Sequence, residues 1–230
     1  MRYENIHEGI FHSRPNRFIA MVEVDGTVEK CHVKNTGRCK ELLMDGACVY
    51  LEEGKGNERK TKYSLVTVKK GEVLVNIDSQ APNKVVKEWL ETSGYFEDII
   101  KIKPEYKYGD SRIDFYLEAL NGTKVRKILI EVKGCTLEEE GVARFPDAPT
   151  ERGIKHMMEL VKAKKEGYEA YIFFVIQMKG IKQFEPNWRT HEAFATCLRE
   201  AASQGVSILA YDCEVGKDTL RIDQPVSVVL

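Results

Sequence analysis

The stretch from residue 111 to residue 133 decides the fold, because it holds two strand-like arms joined by a polar turn. The first arm begins S-R-I-D-F (111–115), the turn is N-G-T-K (121–124), and the second arm ends I-L-I-E-V-K (128–133). Both arms alternate with a period of two, as half-buried strands do, and an Asn-Gly pair is a strong hairpin signal. The stretch therefore predicts a β-hairpin.

The register of this hairpin decides where its two acidic residues lie. A four-residue turn pairs Leu120 with Val125 and places Asp114 opposite Glu131, where side chains are about 4.5–5.5 Å apart at Cβ. A turn of Asn-Gly alone moves Asp114 opposite Leu129 but leaves both carboxylates on one face. A slip by one residue would separate them. Either even register predicts that Asp114 and Glu131 share one patch.

Lys133 lies two residues beyond Glu131, so an ammonium joins the two carboxylates on the same face. Mg²⁺ prefers carboxylate oxygens and keeps several of its waters. A neighbouring ammonium orients a water or neutralises charge that develops on a phosphate. The plain structural alternative for the same residues is a cross-strand salt bridge on a solvated sheet face.

Four sequence blocks together resemble the sugar fermentation stimulation protein family. They are N-T-G-R-C-x-E-L-L from residue 35, S-R-I-D-F from residue 111, E-V-K-G-C-T from residue 131, and F-P-D-A-P-T-x-R-G-x-x-H from 145 to 156. Within them, Asp114 followed by the E-V-K triplet also resembles the PD-(D/E)XK nuclease signature.

The resemblance implies a metal site and a nucleic-acid partner. Asp114 and Glu131, with the carbonyl of Val132, would hold Mg²⁺ or Mn²⁺, and Lys133 would assist attack on a phosphodiester. DNA is the expected partner. The leading hypothesis is therefore a DNA-binding protein with a Mg²⁺-dependent phosphodiesterase site. Two alternatives stay open: a non-catalytic DNA-binding regulator of sugar-utilisation genes that retains a nuclease fold, and an enzyme that acts on a small phosphoester.

Further candidates for nucleic-acid contact or support of the site are Glu88, Arg112, Asp147, Arg152, His156 and Arg38. Arg152 and His156 lie one turn apart on a predicted helix that Thr150 can cap, so both could reach a scissile phosphate. Asp147 is either a supporting acid or a turn residue. Glu88 lies where relatives of the nuclease fold place an extra metal carboxylate, although a solvated charge also explains it.

Arg38 follows Thr36 at the start of a predicted short helix. Thr at this position is ordinarily an N-cap. The functional alternative is a phosphate received by Arg38 and by the backbone amides of the helix start.

The composition indicates an ordinary globular protein without a general affinity for polyanions. Of 230 residues, 43% are hydrophobic and 31% charged, and the net charge is −1. Residues 1–80 hold 13 basic and 12 acidic residues, which leaves 22 and 24 for residues 81–230. Any contact with nucleic acid must therefore come from local clustering of charge.

Cysteine usage and hydropathy predict a cytoplasmic protein with no membrane partner. The six cysteines form no C-x-x-C pair and lack zinc-site spacing. No signal peptide is recognisable, and no apolar run approaches the ~20 residues that span a bilayer. Small buried thiols in a reducing compartment are the simplest interpretation.

Residues 1–80 are predicted to form an OB-like β-barrel that binds nucleic acid. Five strands are expected, at 18–24, 28–33, 47–51, 63–69 and 72–77, with a short helix at 36–43 and a loop at 52–62. OB barrels bind single strands through aromatic platforms and basic grooves. The sequence does not identify which aromatic residues of the barrel are exposed.

Residues 81–230 are predicted to form a nuclease-like α-β-β-β-α-β domain with a mixed sheet, which makes the whole chain mixed α/β. The predicted order is a helix at 82–93, strands at 99–108, 112–120 and 126–133, a helix at 151–166, a strand at 171–176, a helix at 189–203 and a strand at 207–211. The second helix shows an apolar stripe of Ile154, Met157, Met158 and Val161.

Overall fold

A computed structural model describes residues 1–35, 37–54 and 60–230. The amino-terminal part contains β1 (Ile6–Asn16), β2 (Ile19–Val24), β3 (Thr27–Val33), β4 (Cys48–Glu53), β5 (Tyr63–Lys70) and β6 (Val73–Asn76). The remainder contains α1 (Ala81–Thr92), β7 (Ile99–Tyr108), β8 (Ser111–Asn121), β9 (Lys124–Cys135), β10 (Leu137–Glu139), β11 (Val142–Phe145), α2 (Glu151–Lys165), β12 (Glu169–Ile176), β13 (Gln183–Pro186), α3 (Glu192–Ser203), β14 (Ser207–Val215), β15 (Leu220–Pro225) and β16 (Ser227–Val228). None of the helices in these described ranges has the length and hydrophobicity needed to cross a membrane.

Strands β1 to β5 close into a barrel with the strand order of an OB fold. β1 pairs with β2 and β4, β2 with β3, β4 with β5, and the parallel pairing of β3 with β5 closes the ring. The predicted fold class, mixed α/β with an amino-terminal OB-like barrel, is confirmed.

The prediction of the individual barrel strands was wrong at one place. It omitted β1 and counted residues 72–77 as the fifth strand, whereas β6 extends the sheet from the edge of β5. β1 is hard to recognise because its pairing with β2 is interrupted twice, between Phe11 and Ser13 and again before Asn16. These irregularities break the period-two pattern on which strand recognition depends.

The predicted helix at residues 36–43 is also wrong. The backbone from Gly37 to Leu43 forms bends and turns, with Cys39 in the left-handed region at a φ of 44°. Thr36, the predicted N-cap, lies outside the described residues, as do residues 55–59 of the predicted loop.

The second part is built on a six-stranded mixed sheet in the order β15-β14-β12-β9-β8-β7. β9, β12 and β14 are parallel, and the other strands pair antiparallel. The predicted order α-β-β-β-α-β is present. A small second sheet, β10-β11-β13-β16, was not predicted, because its strands are only two to four residues long.

Helices cover both faces of the six-stranded sheet. α1 packs Val85, Val86 and Leu90 against one face, where the core includes Phe115 and Ile130. α2 packs Met157 and Leu160 against the other face, and α3 packs against α2. Because both faces are covered, the central strand β12 is almost entirely apolar.

The β8–β9 hairpin has the register predicted for a four-residue turn. Leu120 pairs with Val125, Asn121 with Lys124, and the pairing continues to Phe115 and Ile130. The same register sets Asp114 against Glu131 one step beyond the last pair, where the two strands separate.

The barrel and the second part share one hydrophobic core. Val33, Leu65 and Ile77 of the barrel belong to the same cluster as Met178 and Phe184. A buried polar joint lies at this seam. Gln177 donates from Nε2 to Oδ1 of Asn76 at 2.8 Å and to the carbonyl of Asp78 at 3.1 Å.

The first residues of the chain contact the second part as well as the barrel. Arg2 forms a β-bridge with Thr219 and donates from Nε to the Asp218 carboxylate at 2.7 Å. The amide of Tyr3 donates to the carbonyl of Asp218 at 2.7 Å. The barrel is therefore held from both of its ends.

Candidate active site

Asp114 lies where the β8–β9 ladder ends, and its carboxylate replaces the missing backbone acceptor. Its Oδ2 accepts from the amide of Val132 at 2.8 Å, and its Oδ1 accepts from Nδ2 of Asn83 at 2.8 Å. Asn83 belongs to the first turn of α1, so the helix start fixes the carboxylate. Burial and then the nearby charge of Glu131 raise the pKa of Asp114 above its ordinary value.

Glu131 is almost entirely buried, at 2% exposure. Its Oε1 accepts from Nζ of Lys133 at 2.5 Å and from Nδ1 of His156. Burial acts to raise the pKa of Glu131, but the hydrogen bond from His156 and the charge of Lys133 outweigh it, so the pKa lies below its ordinary value. Its Oε2 is buried and has no hydrogen-bond partner among the described residues.

His156 reaches Glu131 from α2, and Arg152 lies behind it. Nε of Arg152 donates to Nε2 of His156 at 3.4 Å. Since a guanidinium can only donate, Nε2 of His156 accepts, and its Nδ1–H is donated to Glu131. α2 begins as predicted, with Thr150 accepting at 3.1 Å from the amide of Gly153. The helix start thereby fixes the direction from which His156 approaches.

Gly134 explains why a glycine follows the E-V-K triplet. A Cβ at this position would lie 2.5 Å from Oε1 of Gln177 and 2.8 Å from Cγ of Pro82. Only glycine allows β9 to approach both the start of α1 and the polar seam. The close approach brings Asn83, in the first turn of α1, within reach of Asp114.

The structure brings Asp114, Glu131, Lys133, Arg152 and His156 into one connected group, with the backbone of Val132 between the two acids. The other candidate residues lie outside it. Glu88 is exposed and accepts from the amino-terminal nitrogen of Met1 at 2.6 Å. Arg112 is exposed and pairs with Glu105 at 3.2 Å.

Asp147 and Arg38 meet each other rather than the acidic pair. The amide of Arg38 donates to Oδ2 of Asp147 at 3.0 Å, while the Arg38 side chain is exposed and has no ion pair with a described residue. The amide that was predicted to receive a phosphate at a helix start is thus taken by a carboxylate of the second part. This contact joins the N-T-G-R block to the F-P-D-A-P-T block.

Two residues with structural influence on these sites were not singled out from the sequence. The side-chain amide of Asn83 donates to Asp114. The guanidinium of Arg14 donates to backbone carbonyls of the loop that carries Arg38. Asn83 was assigned only to the boundary before a helix, and no local signal shows that this turn faces β8. Arg14 lies on β1, the strand that was missed.

The described residues contain no group of three or more His, Cys, Asp and Glu side chains that could hold a metal ion. Mg²⁺ does not require such a cage, since it binds through one or two carboxylates and keeps its waters. The unpartnered, buried Oε2 of Glu131, beside the carboxylate of Asp114, fits a hard divalent cation of this kind.

The fold and site define a class: a two-part α/β protein in which an OB barrel is joined to a mixed sheet. The central hairpin of that sheet holds a buried acid and a half-buried acid beside a lysine. Residues 13–77 match the family described as the SfsA N-terminal OB domain, and residues 80–219 match the sugar fermentation stimulation protein RE domain. The chain belongs to the sugar fermentation stimulation protein family.

Relatives of similar length support this assignment. The chain is 59% identical over 230 residues to a sugar fermentation stimulation protein homolog of Desulfitobacterium hafniense, covering 100% of this chain and 99% of that protein. It is 54% identical to a homolog of Clostridium beijerinckii, with complete coverage of both chains. Among solved structures, Pyrococcus furiosus SfsA in complex with Ca²⁺ superimposes with a TM-score of 0.89 at 28% identity, covering 100% of this chain and 98% of that one.

Proposed function

We propose that this protein binds nucleic acid, with DNA as the expected ligand, and hydrolyses phosphodiester bonds with Mg²⁺ or Mn²⁺ held by Asp114, Glu131 and the Val132 carbonyl. The observation that carries the proposal is the pairing of the buried carboxylate of Glu131 with the half-buried carboxylate of Asp114, where Oε2 of Glu131 has no hydrogen-bond partner among the described residues. Two like charges in a poorly solvated site repel each other, and a divalent cation bound between them would relieve that repulsion.

The residues around the acids have distinct roles in this proposal. The bound cation would polarise the phosphate and lower the pKa of a bound water. Lys133, whose side chain is 16% exposed, holds Glu131 on one side and presents its ammonium to a phosphate on the other. His156 orients Glu131, and Arg152 fixes the tautomer of His156. Both are positioning residues.

The solved relative adds a chemical argument for the cation. That structure is described as a complex with Ca²⁺, a hard cation that prefers the same oxygen ligands as Mg²⁺. We assign nucleic-acid binding to the barrel, residues 1–80, and hydrolysis to residues 81–230. All six cysteines are free thiols, which suits a cytoplasmic protein.

The test compares the wild type with Asp114→Asn and Glu131→Gln, each as the full chain. Calorimetry with Mn²⁺ should show binding to the wild type and its loss in both variants, because each loses a ligating charge. Cleavage of a labelled DNA duplex that carries an unpaired segment should be lost in Mg²⁺ as well, while DNA affinity in EDTA should be unchanged or increase. Glu118→Gln is the matched control, since Glu118 is also on β8 but pairs with Lys101.

One observation favours a non-catalytic DNA-binding protein as the second candidate. Both oxygens of Asp114 already accept hydrogen bonds within the chain, and Lys133 already pairs with Glu131. The same experiment separates the two candidates. Wild-type protein that binds DNA but neither binds Mn²⁺ nor cleaves would contradict the phosphodiesterase proposal and leave the binding proposal standing.

A further inference from the structure

The barrel exposes one aromatic ring among its described residues. Residues 1–80 contain five aromatic side chains, and four of them, Tyr3, Phe11, Tyr50 and Tyr63, are buried. Phe18 is 50% exposed. An exposed phenyl ring on a barrel that otherwise buries its rings has no role in the core.

The backbone that carries Phe18 is fixed on both sides of the ring. The amide of Phe18 donates to Oδ1 of Asn16 at 2.9 Å, and its carbonyl accepts from the amide of Val33 at 2.8 Å. The preceding carbonyl, of Arg17, accepts from Nη2 of Arg14 at 2.7 Å. The ring is therefore presented to solvent from a firmly bonded turn.

Arg14 also joins this turn to the loop that follows β3. Its guanidinium donates to the carbonyls of Asn35 at 2.5 Å, Gly37 at 2.8 Å and Arg38 at 3.0 Å. One guanidinium thus holds the backbones of Arg17 and Arg38 close together. Both of their side chains are exposed, so two cations extend from backbone segments that Arg14 joins to the turn of Phe18, on a protein with a net charge of −1.

The geometry within this patch leaves the ring available to a ligand. The guanidinium carbon of Arg17 lies 5.9 Å from the centre of the Phe18 ring, at the far limit of a cation–π contact. The patch is also tied to the second part, because the amide of Arg38 donates to Asp147. Asp147 precedes α2, the helix whose His156 contacts Glu131.

We propose that Phe18 is a stacking platform for an unpaired base and that Arg17 and Arg38 contact the phosphates on either side of it. Every base offers a planar face to such a ring, whereas bases inside a duplex are already stacked on each other. The inference rests on the proposed function and specifies its substrate class: single-stranded nucleic acid, or a duplex with an unpaired segment.

The test is fluorescence anisotropy in EDTA, so that cleavage cannot interfere, with a labelled oligothymidine and with the same strand paired to its complement. The wild type should bind the single strand more tightly than the duplex. Phe18→Ala should weaken single-strand binding about 5- to 150-fold, the range expected for loss of one base–aromatic stack. Phe18→Trp should restore it.

Val28→Ala is the matched control, since Val28 is 52% exposed on the same barrel but lies outside the contacts of Arg14. It should bind like the wild type. Equal single-strand affinity of the wild type and Phe18→Ala, or equal weakening for single strand and duplex, would overturn the stacking platform alone. A wild type that binds neither strand nor duplex would overturn the proposed function as well.

Discussion

Asp114 and Glu131 are neighbours whose pKa values are shifted in opposite directions. Burial and the charge of Glu131 raise the pKa of Asp114, whereas His156 and Lys133 lower that of Glu131 in spite of its burial. Glu131 is thus the acid that stays ionised, and Asp114 is the acid that carries the electrostatic cost of the pair. A half-buried carboxylate whose pKa is raised in this way destabilises the folded protein at neutral pH, and such groups are concentrated at functional sites.

Asp114→Asn should therefore stabilise the metal-free protein at pH 7. Asparagine keeps an acceptor for the Val132 amide but removes the repelling charge. Because the folded-state pKa of Asp114 lies above the unfolded value, wild-type stability falls as pH rises between those two values. The stability advantage of Asp114→Asn over the wild type should be largest at neutral pH and should disappear as the pH falls toward about 4.

Urea denaturation in EDTA at several pH values measures this difference. Glu118→Gln serves as the control, because the pKa of Glu118 is shifted in the opposite direction: the hydrogen bond from Lys101 lowers it. This pair is exposed, so the substitution should change stability little. Added Mn²⁺ should stabilise the wild type and not Asp114→Asn. A loss of stability in Asp114→Asn would show that its charge is compensated in the metal-free state.

The sequence predicts the two acidic residues of the site but not the residues that contact them. The alternation around Asp114 and Glu131 fixes their face, and that pattern is local. Asn83 comes from a helix 31 positions away, and His156 reaches Glu131 across 25 positions. Such partners are determined by the packing of helices on the sheet. The family resemblance included His156 in one of its blocks, but no sequence signal pointed to Asn83.

The helix α2 lies close to its predicted range, but only part of its predicted apolar stripe is buried. Residues 151–165 form the helix, close to the predicted range. Of the four apolar residues in its predicted stripe, Met157 is 1% exposed and Met158 is 63% exposed. Spacing places both on one broad side of the helix, but only contact with the sheet decides which of them is covered.

Substitution of these adjacent methionines should give very different results. Met157→Ala removes a side chain packed in the core and should lower the free energy of unfolding by about 2–5 kcal/mol. Met158→Ala should change it by no more than about 0.5 kcal/mol. Urea denaturation of the two variants makes the comparison within one turn of one helix. Equal losses would mean that Met158 is covered in solution.

The hairpin and β1 mark the two limits of strand prediction from sequence. The hairpin has regular alternation and a strong turn signal, so its register follows from local pattern. β1 has two irregularities in its pairing with β2, and the ring closes only because β3 meets β5. Closure of a barrel depends on contacts between distant strands and leaves no local mark on the sequence.

The molecule as a whole should unfold as one cooperative unit, although it has two parts. The hydrophobic core is continuous across the seam, and Gln177, at 1% exposure, supplies the polar joint to Asn76 and Asp78. Separation of the parts would expose these polar and apolar groups together. The two-part sequence pattern carries no signal of this coupling.

Two probes in urea test the coupling. Both tryptophans, Trp89 and Trp188, report on the second part, and hydrogen exchange of β2 and β5 amides reports on the barrel. The transitions should coincide. Gln177→Leu removes two buried hydrogen bonds, to Oδ1 of Asn76 and to the carbonyl of Asp78, and should lower stability by about 1–3 kcal/mol at both probes. Gln204→Leu, at an exposed position, is the control. Separate transitions would show that the parts unfold independently.

The β-bridge between Arg2 and Thr219 sets an order of events during translation. Arg2 and its partner Asp218 are 216 positions apart, and ribosomes add about 5–20 residues per second. The strands of the barrel leave the ribosome early and can pair with one another at once, but Arg2 stays without its partner for roughly 10–40 seconds. Attachment of Arg2 to Asp218 and Thr219 is thus among the last steps in maturation of the newly made chain.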